Sequence, residues 1–138
     1  MTETLYKNSF PSSLENLTEV IREALSALEQ AGWLESENQH CLRLCLEEGL
    51  VNAITHGNQS DAERVVDIRI LAEADSLQIC IRDEGGGFNP ALVPEPKSDQ
   101  LGGRGVCLIK HFMDGVEYDA EDNCLRMRLR RSAPASKE

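Results

Sequence analysis

The stretch that decides the fold is residues 46–57, which read Leu46-Glu47-Glu48-Gly49-Leu50-Val51-Asn52-Ala53-Ile54-Thr55-His56-Gly57. It lies in a helix predicted from His40 to His56, because apolar residues recur there at helical spacing. At about 100° per residue, Glu48 and Asn52 lie one turn apart at the edge of the apolar stripe. Glu47 falls on the other side of that stripe. The spacing therefore places one carboxylate and one carboxamide together at the boundary between core and solvent.

The other elements are predicted from periodicity and turn residues. In order, they are a strand at 4–10, a helix from a Ser12–Glu15 capping box to Gly32, strands at 66–70 and 77–81, a helix opening at 102–105, and a closing hairpin of 116–118 with 124–130. The order β-α-α-β-β-α-β-β predicts an α/β two-layer sandwich, a mostly antiparallel mixed sheet covered on one face by three helices. Residues 1–132 are predicted to form a single domain, followed by a disordered tail at 133–138.

Length, charge and cysteine content limit the possible functions. The chain has 138 residues, with 14 Lys and Arg against 24 Asp and Glu, for a net charge of −10. This charge argues against binding to nucleic acid or to an anionic membrane. No apolar run reaches the roughly 18–20 residues of a membrane span, and the N-terminus does not resemble a signal peptide. We therefore expect a cytoplasmic protein whose five cysteines are small buried hydrophobes rather than disulfides.

A glycine-rich segment follows the second predicted strand of the central hairpin and reads Asp83-Glu84-Gly85-Gly86-Gly87-Phe88. Alone, such a segment is more typical of a turn than of a ligand site. Asp83, however, ends an apolar strand and can accept a hydrogen bond from an exocyclic amine such as that of adenine. Gly85 and Gly87 would let a base and a sugar approach the backbone where any side chain would clash.

A second glycine-rich segment, Gly102-Gly103-Arg104-Gly105, opens the third predicted helix. Gly103 and Gly105 free backbone amides at a helix N-terminus for phosphate oxygens, and Arg104 adds a positive charge there. On the earlier helix, Asn52 offers a neutral oxygen to Mg²⁺, and Glu48 can accept a proton from an attacking hydroxyl or water. Adenine, cation and phosphate thus each have a candidate partner.

This combination resembles the GHKL ATPases, in which an N box, a G1 box and a G2 box supply these functions. Residues 46–57 resemble the N box, residues 82–90 the G1 box, and residues 102–106 with Met113-Asp114 the G2 region. Within that superfamily, the likeness is greatest to the stand-alone anti-sigma factor serine kinases of bacterial partner-switching systems. The resemblance implies the Bergerat, or histidine kinase-like ATPase, fold. Gly49 departs from the pattern, since alanine is more usual there and glycine costs about 1 kcal/mol in helix propensity.

The resemblance also implies a bacterial cytoplasmic kinase that binds ATP and Mg²⁺ and phosphorylates Ser or Thr of an anti-sigma factor antagonist. Glu48 would be the general base and Asn52 the Mg²⁺ ligand. The remaining binding residues would be Asp83 for adenine, Gly85 and Gly87 for the base pocket, and Gly103, Arg104, Gly105 and Val106 for the phosphate end. Members of this group bind a sigma factor, usually as dimers, and release it when the antagonist binds.

Two other functions are compatible with the same residues. One is a regulatory module that binds ATP or ADP and sequesters a partner without phosphoryl transfer. The other is a kinase of this superfamily that serves a different regulator. The presence of both Glu48 and Asn52 favours a kinase, because a pure binding module needs no base beside the metal. Four arginines lie on or just after the last predicted strand: Arg126, Arg128, Arg130 and Arg131. They could form a basic face for an acidic partner, although an ordinary solvent-side strand face explains them as well.

Overall fold

The chain folds into two layers, a five-stranded sheet and a layer of helices packed on one of its faces. The computed structural model describes residues 2–36, 38–58, 61–84, 109, 112–119 and 121–130. Its elements are β1 (Glu3–Pro11), a 3₁₀ turn (Leu14–Asn16), α1 (Leu17–Gln30), α2 (Gln39–Asn52), a π-helical turn (Ala53–Gly57), β2 (Val65–Ala72), β3 (Ser76–Arg82), β4 (Gly115–Asp119) and β5 (Cys124–Arg130).

The sheet has the strand order β1-β2-β3-β5-β4. Every neighbouring pair among the described strands is antiparallel, so the sheet is antiparallel throughout this part of the chain rather than mixed. Tight turns join β2 to β3 and β4 to β5, as the alternating sequence predicts. Because β5 inserts between β3 and β4, the end of β3 lies next to the β4–β5 turn. This neighbourhood positions the candidate site.

The core lies between the sheet and the two helices. Strand residues alternate between a buried face and an open face, and the buried face is mostly aliphatic, including Ile68, Ile70, Ile79, Ile81 and Met127. Both helices contribute to the same cluster, α1 through Val20, Ile21, Ala24 and Leu28, and α2 through Leu42, Cys45, Leu46 and Leu50. The core of the described residues consists mostly of Leu, Ile, Val and Ala side chains.

Close packing of α2 on β3 accounts for the unusual glycine of the N-box-like helix. A Cβ atom built on Gly49 would lie 2.8 Å from Cδ1 of Ile81 and 3.4 Å from Cε of Met127. The glycine therefore lets the helix approach the sheet more closely than an alanine would without a shift of Ile81. This contact compensates for the poor helix propensity of glycine.

The end of α1 is the part of the fold that local sequence predicts best. Gly32 has φ +81°, a left-handed conformation that glycine adopts without strain. The amide of Trp33 donates to the carbonyl of Leu28 at 2.9 Å, and that of Gly32 to Glu29 at 3.0 Å. These two bonds form a Schellman motif, which ends the helix at the predicted glycine.

The start of α1 differs from the predicted capping box. The hydroxyl of Ser13, not of Ser12, accepts a hydrogen bond from the Glu15 amide at 3.2 Å. β1 continues through Pro11, and the Ser12 amide donates to the carbonyl of Arg64 at 2.9 Å, so Ser12 is buried beside the sheet. Leu14 is 53% exposed because it lies in the 3₁₀ turn before the helix.

The structure contains two α-helices among its described residues, against three predicted. The third lies mostly outside that part of the chain, but Ile109 and Met113 are buried in the core. The amide of Met113 donates to the carbonyl of Ile109 at 2.9 Å, the spacing of one α-helical turn.

The predicted tail at 133–138 also lies outside the described residues. None of the described helices has the length and apolar character needed to cross a membrane.

Candidate functional site

Asp83 is the first residue after β3, and its side chain is only 4% exposed. Its backbone amide donates to the carbonyl of Asn123 at 3.0 Å, in the turn between β4 and β5. Asn123 has φ +53°, a conformation that asparagine tolerates better than most residues. The turn therefore fixes the backbone from which the Asp83 carboxylate projects.

The helix that carries Glu48 and Asn52 continues into a π-helical turn directly against Asp83. The amide of Asn58 donates to the carbonyl of Ala53 at 2.8 Å and closes that turn. A Cβ atom on Gly57 would lie 2.2 Å from Oδ2 of Asp83. Gly57 is thus required by the close approach of the carboxylate. Single π turns within helices are frequent at functional sites.

A small cavity opens beside this carboxylate, between α2 and the sheet. Among the described residues, Asp83 is the charged member of its wall, and the others are apolar or small: Gly49, Ala53, Ile81, Tyr118 and Leu125. Gly49 of α2 and Ala53 of the π-helical turn have little or no side chain, so the cavity stays open on the helix side. The cavity volume of about 10 Å³ is that of one water molecule, so what it shares with a site for a flat heterocycle is chemistry alone: apolar walls and a hydrogen-bond acceptor.

Glu48 and Asn52 lie on α2, each one residue before a residue of the cavity wall, Gly49 and Ala53. At about 100° per residue, both side chains therefore project to one side of that wall. Glu48 is half-buried, and its pKa is raised, first by burial and then by the negative charge of Glu47. A half-buried carboxylate with a raised pKa suits proton transfer.

Asn52 is 5% exposed, and its Nδ2 atom has no hydrogen-bond partner among the described residues. Buried polar atoms in native proteins are almost always paired, so an orphaned one requires an explanation. Rotation of the carboxamide by half a turn exchanges its nitrogen and oxygen, so the same position can present an oxygen. Asn52 therefore fits a hard cation such as Mg²⁺, which takes few protein ligands and relies on phosphate oxygens for the others.

Behind Asp83, Asn58 ties three strand ends together. Its side chain is fully buried and donates to the hydroxyl of Ser12 and, at 3.0 Å, to the carbonyl of Val65. Its Oδ1 accepts from the amide of Glu84 at 2.7 Å, and the Glu84 carboxylate accepts from the Val65 amide at 2.9 Å. The ends of β1 and β3 and the start of β2 are thus held by one carboxamide.

We expect Asn58→Ala to lower the free energy of unfolding by about 3 kcal/mol, because it leaves a hydroxyl, a carbonyl and an amide without partners in the interior. Urea denaturation followed by circular dichroism measures this loss. The matched control is Asn16→Ala, whose side chain makes one surface hydrogen bond to the Pro11 carbonyl at 3.1 Å, and there we expect a loss below about 1 kcal/mol. Equal losses in the two variants would contradict the bridging role of Asn58.

Of the predicted site residues, the structure describes Glu48 and Asn52, one turn apart on α2, and Asp83, which lines the cavity between α2 and the sheet; their roles stay predictions. The other six lie outside the described residues, and their roles remain predictions: Gly85, Gly87, Gly103, Arg104, Gly105 and Val106. Sequence reasoning did not assign a site role to Gly57, Asn58 or Asn123. The only sequence signals were a glycine read as a helix stop and an asparagine in a short turn.

Comparison with known proteins identifies this sheet and helix layer as an ATPase domain. A family model described as the histidine kinase-like ATPase domain matches residues 10–129. The chain belongs to this family, as the resemblance of its motifs predicts. Membership of an ATPase domain family implies that the cofactor is ATP, whereas Mg²⁺ stays a prediction supported by Asn52.

The chain is also similar to anti-sigma F factors from three bacilli: Bacillus thuringiensis strain Al Hakam, Bacillus mycoides strain KBAB4 and Bacillus anthracis strain A0248. Each is 35% identical over 89 residues, which is 59% of this chain and 60% of the relative. The chain therefore spans about three-fifths of the length of the curated relatives it matches.

Proposed function

We propose that this protein is an ATP-dependent serine/threonine kinase that acts as an anti-sigma factor and phosphorylates an anti-sigma factor antagonist. The observation that carries the proposal is Glu48, a half-buried carboxylate with a raised pKa, one helical turn from the buried Asn52. The same helix faces Asp83, which lines the cavity between α2 and the sheet. The similarity to anti-sigma F factors supports the class of partner.

In the proposed reaction, each residue of the candidate site has a separate role. Asp83 accepts a hydrogen bond from the exocyclic amine of adenine, and Gly57 leaves room for the carboxylate to do so. Asn52 provides the protein oxygen for Mg²⁺, which when bound neutralises charge on the phosphates. Glu48 accepts the proton of the attacking serine or threonine hydroxyl, a task to which its raised pKa is suited.

The cellular setting belongs to the same proposal. We infer that the protein binds a sigma factor and its antagonist, forms a homodimer and acts in the cytoplasm. Its net charge of −10 argues against direct binding to nucleic acid or to an anionic membrane surface. Partner proteins are the expected ligands of its surface.

The proposal is tested by offering the purified chain radiolabelled Mg-ATP together with each small antagonist-domain protein encoded in the same genome. We expect label on a serine or threonine of one of them, located by mass spectrometry. ATP binding with no labelled protein from the whole set would contradict the kinase proposal. It would instead support the alternative, a module that binds ATP or ADP and sequesters a partner without phosphoryl transfer.

The raised pKa of Glu48 predicts the pH dependence of transfer. A base acts only when deprotonated, so the rate at saturating Mg-ATP should fall as the pH falls through the pKa of Glu48. The rate should begin to fall at a higher pH than for an ordinary glutamate, because burial and Glu47 both favour the protonated form. Glu47→Gln removes the neighbouring charge and should move this fall in rate to lower pH. Identical profiles for the two proteins would contradict this assignment.

A further inference from the structure

The open face of the sheet, on the side opposite α1 and α2, is rich in cationic side chains. Residues of this face alternate along the strands with the buried aliphatic ones. Among the described strands, it carries six cations and three carboxylates: Lys7, Arg69, Arg82, Arg126, Arg128 and Arg130, with Asp67, Glu117 and Asp119. The whole chain has 14 Lys and Arg against 24 Asp and Glu, so this face reverses the charge balance of the protein.

Three of these arginines form a line along β5. Arg126, Arg128 and Arg130 occupy alternate positions of the strand, so their Cα atoms lie about 7 Å apart. Cys80 of β3 pairs with Arg69 on one side and with Arg126 on the other, which extends the basic surface across the sheet. Contrary to the expectation of a buried hydrophobe, Cys80 is only half-buried in this surface.

Most of the cations on the open face have no acidic partner in the described part of the chain. Nη2 of Arg69 lies 3.8 Å from Oδ2 of Asp67, and Arg126 lies 3.5 Å from Asp119 and 3.8 Å from Asp122. The other four are exposed and form no ion pair with a described residue: Lys7, Arg82, Arg128 and Arg130. Their charges are therefore available to a ligand outside the chain.

A recess of about 310 Å³ opens on the same face beside Arg128. Its other walls come from the first strands and the β2–β3 hairpin: Thr2, Leu71, Glu73, Ser76 and Gln78. The carboxylate of Glu73 accepts a hydrogen bond from the Thr2 hydroxyl at 2.8 Å. The recess has the volume of a small ligand site, so it can receive a side chain of a bound segment.

The composition of the open face indicates which kind of partner it fits. With twice as many cations as carboxylates, the face would repel its own copy in a twofold dimer. Its described strand residues include no aromatic ring on which nucleotide bases could stack, and the net charge of −10 opposes binding to nucleic acid. A short carboxylate-rich segment of another protein complements it.

We propose that the open face of the sheet binds an extended acidic segment of a partner protein. Alternate residues of an extended chain lie about 7 Å apart, which matches the spacing of Arg126, Arg128 and Arg130. Aspartate or glutamate side chains at such positions pair with the arginines, whose planar guanidinium groups can donate two hydrogen bonds to one carboxylate. This surface lies on the opposite side of the sheet from α2, so the proposal does not depend on kinase activity.

The first test measures binding of a fluorescein-labelled peptide of alternating glutamate and serine by fluorescence anisotropy at low ionic strength. We expect Arg128→Glu to weaken binding about tenfold, because the reversal replaces an attraction by a repulsion. The matched control is Arg43→Glu, which makes the same change of charge at an exposed position of α2. It should change the affinity less than about twofold, since charges on the far side are screened by solvent and salt. Equal weakening by both variants, or no binding to the unaltered chain, would overturn the proposal.

The second test locates the peptide and examines the other possible occupants. Amide chemical shifts of the unaltered chain should change on β2, β3 and β5 when the peptide is added, and changes confined to α1 and α2 would overturn the proposal. An oligothymidine of equal charge should bind more weakly than the peptide, and equal or tighter binding would indicate a nucleic-acid surface instead. Light scattering should give the same mass for the unaltered chain and Arg128→Glu. A dimer that Arg128→Glu dissociates would mean that a second copy occupies the face.

Discussion

Replacing Glu48 with Gln is expected to slow phosphoryl transfer by about 10²–10⁴-fold and to change Mg-ATP affinity by less than about threefold. Glutamine has nearly the same shape, so packing at this half-buried position and the adjacent cavity are kept. Its amide cannot accept the proton of the attacking hydroxyl. The substitution therefore removes the proposed base and leaves the binding residues in place.

The measurements are single-turnover transfer to the antagonist and calorimetry with Mg-ATP. Glu47→Gln is the matched control, because Glu47 neighbours Glu48 in sequence but lines a different groove, between α1 and α2. At neutral pH this control should retain transfer within about threefold, since it alters only the charge near the base. Full transfer by the Glu48→Gln variant would remove Glu48 from its role.

Gly57→Ala, which adds one methyl group, is expected to weaken Mg-ATP binding by about tenfold, since overpacking costs about 1–3 kcal/mol. The new Cβ atom would lie 2.2 Å from Oδ2 of Asp83, far inside van der Waals contact. Either the carboxylate turns away from its binding position or the π-helical turn moves back from it. Both changes disturb the carboxylate that we propose binds the base.

Gly115→Ala is the control for this glycine. A Cβ atom there would lie 3.6 Å from the nearest atom of Arg128, which is ordinary contact, and the site is on the edge strand β4. Calorimetry should show unchanged affinity for the control and weaker binding for Gly57→Ala, with thermal unfolding as a check on folding. Equal affinities would mean that the contact between Gly57 and Asp83 does not shape the binding site.

Features set by neighbouring residues were predictable from the sequence. The Schellman end of α1 depends on one glycine and a few hydrogen bonds within five residues, so Gly32 sufficed to predict it. Strands β2 and β3 alternate strictly enough to fix both their faces and their hairpin. The common face of Glu48 and Asn52 follows from helical geometry alone.

Features set by contacts between distant residues were not predictable in this way. Ser12 matches the capping pattern, but its amide donates to the Arg64 carbonyl and its hydroxyl accepts from Asn58. The hydroxyl of Ser13 therefore caps the helix start. From the sequence alone, Gly57 indicates only the end of a helix. The folded structure shows that Asp83 lies against it. The partnership of Asp83 with the carbonyl of Asn123 joins residues 40 positions apart and leaves no local pattern.

Titration calorimetry with Mg-ATP, on the unaltered chain and on Asp83→Asn, is the most direct measurement of the central claim. That claim is that the carboxylate after β3 recognises adenine beside the N-box-like helix. One nucleotide should bind each chain, and the substitution should weaken binding by about 10–100-fold, the usual loss of affinity when a hydrogen bond to a buried charged group is removed. No heat of binding to the unaltered chain, or equal affinity in the Asp83→Asn variant, would contradict the account.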